Sequence, residues 1–182
     1  MELKSAVFLD RDGVINTPTI INGKPYAPIK LKDFEIIDGV AQAIQNFTRA
    51  GLEVVVITNQ PEIARHQLSQ KELDDMHNVI KRATGIKNFY CCTHIDEDFC
   101  KCRKPKPGLL NESSTDLNLN LKNSFLVGDR WRDIEAGQTV GCKCFFIDYS
   151  YREKQPKKPF TTVRSLLEAS KLILGDLDNA TT

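Results

Sequence analysis

Ala6-Val7-Phe8-Leu9-Asp10-Arg11-Asp12-Gly13-Val14-Ile15 is the stretch whose reading decides the fold. Its first four residues are an unbroken apolar run, expected to form a strand buried on both faces and ending in a polar tip. Two carboxylates two residues apart at such a tip reach the same crevice once the backbone turns. Gly13 then lets the chain bend sharply away from the sheet. Paired carboxylates disfavour each other's charge unless a cation neutralises them, so the pair invites a hard divalent metal such as Mg²⁺. An Asp-Gly turn after an ordinary strand explains the same letters equally well. Three further segments separate these readings.

Val54-Val55-Val56-Ile57-Thr58-Asn59-Gln60 is a second buried strand whose carboxyl end carries hydroxyl and amide groups. Ligands of open α/β sheets bind at that end. Arg103-Lys104-Pro105-Lys106-Pro107-Gly108 is a loop stiffened by prolines, with three cations suited to an anion. Ser124-Phe125-Leu126-Val127-Gly128-Asp129-Arg130 is a strand–Gly–Asp pattern, with Asp133 one helical turn beyond if a helix begins there.

In this order the four segments resemble the motifs of the haloacid dehalogenase superfamily of phosphotransferases, over roughly residues 4–150. The resemblance implies a phosphatase with Asp10 as nucleophile, forming an aspartyl-phosphate, and Asp12 as general acid and then base. It further implies Mg²⁺ held by Asp10, the main-chain carbonyl of Asp12, and Asp129, with Thr58 and Lys104 binding the transferred phosphoryl group. Asp133 reads as a carboxylate supporting these groups from the helix N-terminus.

Cys92-Thr93-His94 and Cys100-Lys101-Cys102 set three thiols and an imidazole at the spacing of a closed tetrahedral zinc site, in a loop over 91–103. Disulfides are the competing use, but Met1-Glu2-Leu3-Lys4 lacks an apolar signal region and no stretch approaches transmembrane length. A cytoplasmic protein is therefore expected. Cys91 is an alternative ligand to Cys92, with the C-x-H spacing favouring Cys92. Cys142 and Cys144, in a strand-like run, read as packed free thiols.

A zinc loop placed directly before Arg103-Lys104-Pro105 is similar to two related phosphatase groups, acting on D-glycero-D-manno-heptose 1,7-bisphosphate and on histidinol phosphate. Phe34-Glu35-Ile36-Ile37-Asp38-Gly39, Thr58-Asn59-Gln60 and Ile63-Ala64-Arg65 carry the same likeness. By that resemblance Arg11, Asn59, Gln60, Arg103 and Arg130 contact substrate, with Arg103 and Arg130 suited to a second phosphate. The heptose C7 phosphate, in surface-carbohydrate synthesis, is the implied target. Histidinol phosphate is the nearest alternative, followed by nucleic-acid ends and a non-enzymatic zinc module. The chain departs from the heptose pattern at Pro61-Glu62, where Ser-Gly is usual.

The 182 residues suffice for one substantial core and leave little room for two domains, so 1–175 reads as a single domain and 176–182 as a flexible tail. A net charge of +1 with interspersed signs gives no footprint for nucleic acid. The partner expected is a small phosphorylated molecule bound by a monomer. Strands are predicted near 4–10, 53–58, 87–91, 124–128 and 142–147. Helices are predicted over 39–50, from the Ser69 capping box to about 82, 107–117 and 163–174. Alternating strands and helices imply a three-layer, Rossmann-like α/β fold: a parallel sheet with helices on both faces. Helices and strands use up the chain between the motifs, leaving no space for a large cap domain.

Overall fold

The computed structural model describes residues 3–180. In chain order the elements are β1 (Ala6–Leu9), β2 (Thr19–Ile21), β3 (Lys24–Tyr26), α1 (Val40–Arg49), β4 (Glu53–Asn59), α2 (Gln70–Thr84) and β5 (Asn88–Cys92). Then follow α3 (Gly108–Leu117), β6 (Phe125–Gly128), α4 (Trp131–Thr139), β7 (Lys143–Ile147), β8 (Thr161–Val163) and α5 (Leu166–Ala180).

Six strands pair in the order β5-β4-β1-β6-β7-β8, every pair parallel. From β1 the chain moves outward through β4 and β5, then crosses to β6 on the other side of β1. The crevice beyond the carboxyl ends of β1 and β6 is thus a topological switch point, where such sheets bind ligands.

Strand alternation sorts the core into two layers. Val7, Leu9, Val54, Val56, Phe125, Val127, Phe145 and Ile147 face α1, α5 and Ile80 of α2. Ala6, Phe8, Val55, Ile57, Leu126, Cys144 and Phe146 face Leu109 and Leu110 of α3 and Ile134 of α4. Strands covered on both sides explain the unbroken apolar runs. Cys142 and Cys144 are free thiols packed in the second layer.

Local signals set the helix ends. Val40, Ala43, Ile44 and Phe47 give α1 one buried stripe at helical spacing. Its end is a Schellman motif: Gly51, at φ +76°, donates to the Thr48 carbonyl, and Leu52 donates to that of Phe47, both at 3.1 Å. The Ser69 hydroxyl accepts from the Glu72 amide at 3.1 Å, a cap worth about 1 kcal/mol. The Glu72 carboxylate turns instead toward the Leu31 amide, so only half of the capping box forms.

Two expectations need correction. The last helix does not stop near 174 but runs through Gly175 to Ala180, so residues 176–180 are helical; 181 and 182 lie outside the described residues. Leu174 and Leu177 pack on the core either side of the glycine, offsetting its helix cost of about 1 kcal/mol. The segment after β1 holds an antiparallel hairpin, β2–β3, beyond the five strands expected from sequence; its Asn22-Gly23 turn is a hairpin signal. Nothing larger than this hairpin separates β1 from α1. No helix among the described residues is long and apolar enough to cross a membrane.

His77 of α2 is buried against Phe89, ring centroids 4.8 Å apart, with Nε2 lacking a partner. Burial, then the Arg11 charge, pushes its pKa down from 6.5 to about 4. The folded state therefore resists a proton that the unfolded state accepts below pH 6.5, so stability falls as pH drops from about 6.5 to about 4. His77→Phe is expected to remove a share of that acid loss on the order of 2–3 kcal/mol. Urea denaturation of both proteins at pH 7 and pH 4.5 checks this; equal acid losses would contradict it.

Candidate active site

Asp10 follows β1 directly and is tied to the neighbouring strand by its amide, which donates to the Val127 carbonyl at 3.0 Å. The chain then curls: the Arg11 carbonyl accepts from Ile15 and Asn16 at 2.8 and 3.1 Å. At the crest Gly13 has φ +88°, and a Cβ there would lie 1.9 Å from Asp129 Oδ2. Only glycine lets these two strand tips meet.

Lys104 occupies the floor, 2% exposed. Its Nζ lies 2.7 Å from Asp10 Oδ1, 2.7 Å from Asp133 Oδ1 and 2.8 Å from the Ile57 carbonyl, so all three donors are used. Burial works to lower its pKa, but the ion pairs with Asp10 and Asp133 outweigh it and raise the pKa. The loop delivering Lys104 is clamped by Asn59, whose amide donates to the Lys104 carbonyl and accepts from its N–H, each at 3.1 Å.

Asp129, after β6, accepts from the Tyr151 hydroxyl at 2.9 Å through Oδ2, while Oδ1 is buried without a partner. Oxygens of Asp10, Asp129 and Asp133 lie within 4.8 Å of one another. Burial first, then Asp133, pushes Asp10 up to about 7; burial, then Asp10 and Asp133, raises Asp129. Three buried carboxylates face one ammonium. The deficit of positive charge, the all-oxygen donor set and the orphaned Oδ1 fit a hard divalent cation. Asp133 also accepts from the Arg130 amide at 3.0 Å, so it caps α4 as well as joining this cluster.

Asp12 points to the other side of the crevice, held by Arg11 at 2.8 Å, Asn16 at 2.9 Å and Gln60 at 2.7 Å. Arg11 and Gln60, expected as substrate contacts, are instead fully buried braces. The Arg11 guanidinium lies over the Phe34 ring and donates to Asp12 and Gln60, which leaves it facing inward. Gln60 also donates to the Thr58 hydroxyl at 3.0 Å, and Thr58 is itself fully buried. Asn59 lines the pocket, but its amide is committed to Lys104.

Arg103 and Arg130 do line the pocket mouth. Arg103 pairs with Asp96 at 2.8 Å, and Arg130 grips both Glu153 carboxylate oxygens. Lys24, Arg65 and Arg132 join them at the mouth and were not predicted. Arg132 shares Asp96 with Arg103, at 3.2 Å. Lys24 arrives on the hairpin, so reading Asn22-Gly23 as a turn was the signal that could have found it.

Beyond β5, Cys92, His94, Cys100 and Cys102 offer ligand atoms all within 4.8 Å of one another. Their sulfurs lie 3.0–3.7 Å apart, and His94 Nδ1 is 3.3 Å from Cys102 and 3.6 Å from Cys92. Strand alternation turns Cys91 to the opposite side, against Leu68, Leu73 and Met76. Three thiols and one imidazole at these separations suit one tetrahedral ion with Zn–S bonds of about 2.3 Å.

Buried aspartates gathered around a lysine at the switch point of a parallel sheet suit a phosphoryl group and a divalent cation, and the relatives this chain matches make it a phosphatase. A model of the haloacid dehalogenase-like hydrolases matches residues 8–141, and the chain belongs to that family. It is 31% identical over 179 residues to a D-glycero-alpha-D-manno-heptose-1,7-bisphosphate 7-phosphatase of Photorhabdus laumondii, covering 91% of this chain and 94% of that one. A Haemophilus ducreyi protein named for the beta anomer is 34% identical over 157 residues, covering 77% and 80%. A solved D,D-heptose 1,7-bisphosphate phosphatase from B. bronchiseptica, complexed with magnesium and phosphate, superposes with TM-score 0.84 at 25% identity, covering 94% of this chain and 99% of that one.

Proposed function

We propose that this phosphatase removes the C7 phosphate of D-glycero-D-manno-heptose 1,7-bisphosphate. The observation that carries the reading is the division of charge in the pocket. One lysine sits at the floor with the carboxylates, and separate arginines stand at the mouth, a layout for a molecule with two phosphates. The names of the relatives at 31–35% identity support it.

In this reading Asp10 attacks phosphorus, forming an aspartyl-phosphate as the bond to the sugar oxygen breaks, and Asp12 protonates that oxygen. Asp12 then takes a proton from the water that attacks phosphorus, freeing inorganic phosphate and restoring Asp10. Arg11 and Gln60 act through Asp12, fixing its carboxylate. Lys104, its donors filled by Asp10, Asp133 and the Ile57 carbonyl, sets the Asp10 rotamer and lends its positive charge to the transferred phosphoryl oxygens, to which the Thr58 hydroxyl is assigned as a donor. Mg²⁺, held by Asp10, Asp129, Asp133 and the main-chain carbonyl of Asp12, would neutralise charge between nucleophile and phosphate. Arg103 and Arg130 hold the non-reacting phosphate. Six free cysteines suit a reducing cytoplasm, and the site is complete within one chain, as a monomer requires.

The test is a substrate panel with Mg²⁺. The heptose bisphosphate should exceed histidinol phosphate in kcat/KM by about a hundredfold or more, since losing two charge-assisted contacts costs roughly 3–6 kcal/mol. Arg103→Ala should harm the bisphosphate far more than p-nitrophenyl phosphate. Comparable or better turnover of histidinol phosphate would defeat the assignment.

Cys92, His94, Cys100 and Cys102 are assigned to one structural zinc, which fixes the loop bearing Asp96 and so the arginines Asp96 pairs with. Elemental analysis should find one zinc per chain. The Cys100→Ser/Cys102→Ser protein should lose it and show a raised KM for the bisphosphate. Full zinc retention by that double variant would reject the ligand set.

A further inference from the structure

Glu62 lies in the loop between β4 and α2, two residues beyond the Gln60 that braces Asp12. It lines the pocket, yet it is 7% exposed, and its Oε2 is buried with no hydrogen-bond partner. Glu62 is pinned through its main chain. Its carbonyl accepts from the Gln67 and Leu68 amides at 2.9 and 3.2 Å, and Arg65 N–H donates to the Pro61 carbonyl at 3.0 Å. Glu62 thus lines the site while one of its carboxylate oxygens is buried without a donor. Such an arrangement is unfavourable until a donor arrives.

The chemistry of that donor follows from the neighbours. A phosphate would be repelled by Glu62 and is better served by the arginines at the mouth. A cationic group would have to enter past those same arginines. A neutral hydroxyl meets neither objection. Asp12, the group proposed to protonate the leaving oxygen, lines the same pocket and is close enough for its charge to act on Glu62, so Glu62 is assigned to the leaving-group side. Burial raises the Glu62 carboxyl above its ordinary range, with Asp12 adding to the rise, against a hydrogen bond from its own backbone N–H and the charges of Arg65 and Arg11.

We propose that Glu62 is a specificity-determining residue that accepts hydrogen bonds from hydroxyl groups on the substrate's carbon chain next to the reacting phosphate, selecting polyol phosphates over esters of plain alkyl chains. This deepens the sugar-bisphosphate reading and rests on it for the placement of the leaving group. A site built to bond a hydroxyl discriminates strongly against the analogue lacking it, because its own polar group is then left unpaired.

The experiment compares glucitol 1,6-bisphosphate with hexane-1,6-diol bisphosphate, which keep the same chain and both phosphates and differ only in hydroxyls. 6-Aminohexyl phosphate and the heptose bisphosphate are run alongside. The unaltered protein should prefer the polyol by at least about tenfold in kcat/KM. Glu62→Ala should bring that ratio close to one, and Glu62→Gln, with one acceptor oxygen left, should fall between. A purely structural role would lower both rates together and leave the ratio unmoved, and that outcome overturns the proposal. So does a ratio near one in the unaltered protein, or selective loss of the aminohexyl ester. If Glu62→Ala fails to fold, the ratio in the near-isosteric Glu62→Gln decides: a fall supports the proposal and no change overturns it. Poor turnover of the heptose bisphosphate relative to glucitol bisphosphate would count against the proposed substrate, while the hydroxyl pair still reads Glu62 by itself.

Discussion

The Lys104 ammonium, shared between Asp10, Asp133 and the Ile57 carbonyl, is the contact on which the rest of the site depends. It joins four separate pieces of chain: the tip of β1, the end of β4, the first turn of α4 and the loop after the zinc-type cluster. An ammonium buried this deeply is tolerable only with its donors filled, and removing one partner of such a pair costs about 3–5 kcal/mol. The sheet has to bring those strand ends together before the lysine can be buried. Conversely, the lysine fixes where the carboxylates point.

That arrangement leaves the carboxylates in excess. Asp129 gains only the Tyr151 hydroxyl and keeps one oxygen unpaired, while burial and mutual repulsion raise Asp10 and Asp129 toward the neutral form. The same shortage that destabilises the ionised cluster creates affinity for a divalent cation. Around it, polar groups that resemble ligands on paper serve as supports. Arg11 and Gln60 spend hydrogen bonds on Asp12, and Asn59 spends its amide on Lys104, which fixes where Asp12 and Lys104 sit.

The parallel sheet was legible because strands covered on both faces must be continuously apolar, and Val7–Leu9 and Val54–Ile57 are. The positions of Asp10, Thr58 and Asp129 were legible because each sits at the carboxyl end of a strand, and that of Lys104 because prolines stiffen its loop. The orientation of Arg11 was not, since its inward turn depends on Phe34, twenty-odd positions away. Arg132 and Lys24 escaped because a cation on a helix or hairpin looks solvated until the fold shows which face it shares. Gly175 misled for a related reason: a helix breaker counts for less when Leu174 and Leu177 on either side are anchored in the core.

In the proposed mechanism Asp10 is the one carboxylate that becomes phosphorylated. Turnover of the bisphosphate can be quenched in acid, the protein reduced with borohydride, and its peptides sequenced by mass spectrometry. Borohydride converts an acyl phosphate to the alcohol, so the account predicts homoserine at position 10 and unmodified aspartate at 12, 129 and 133. Reduction at one of those other carboxylates, with Asp10 unmodified, would contradict it.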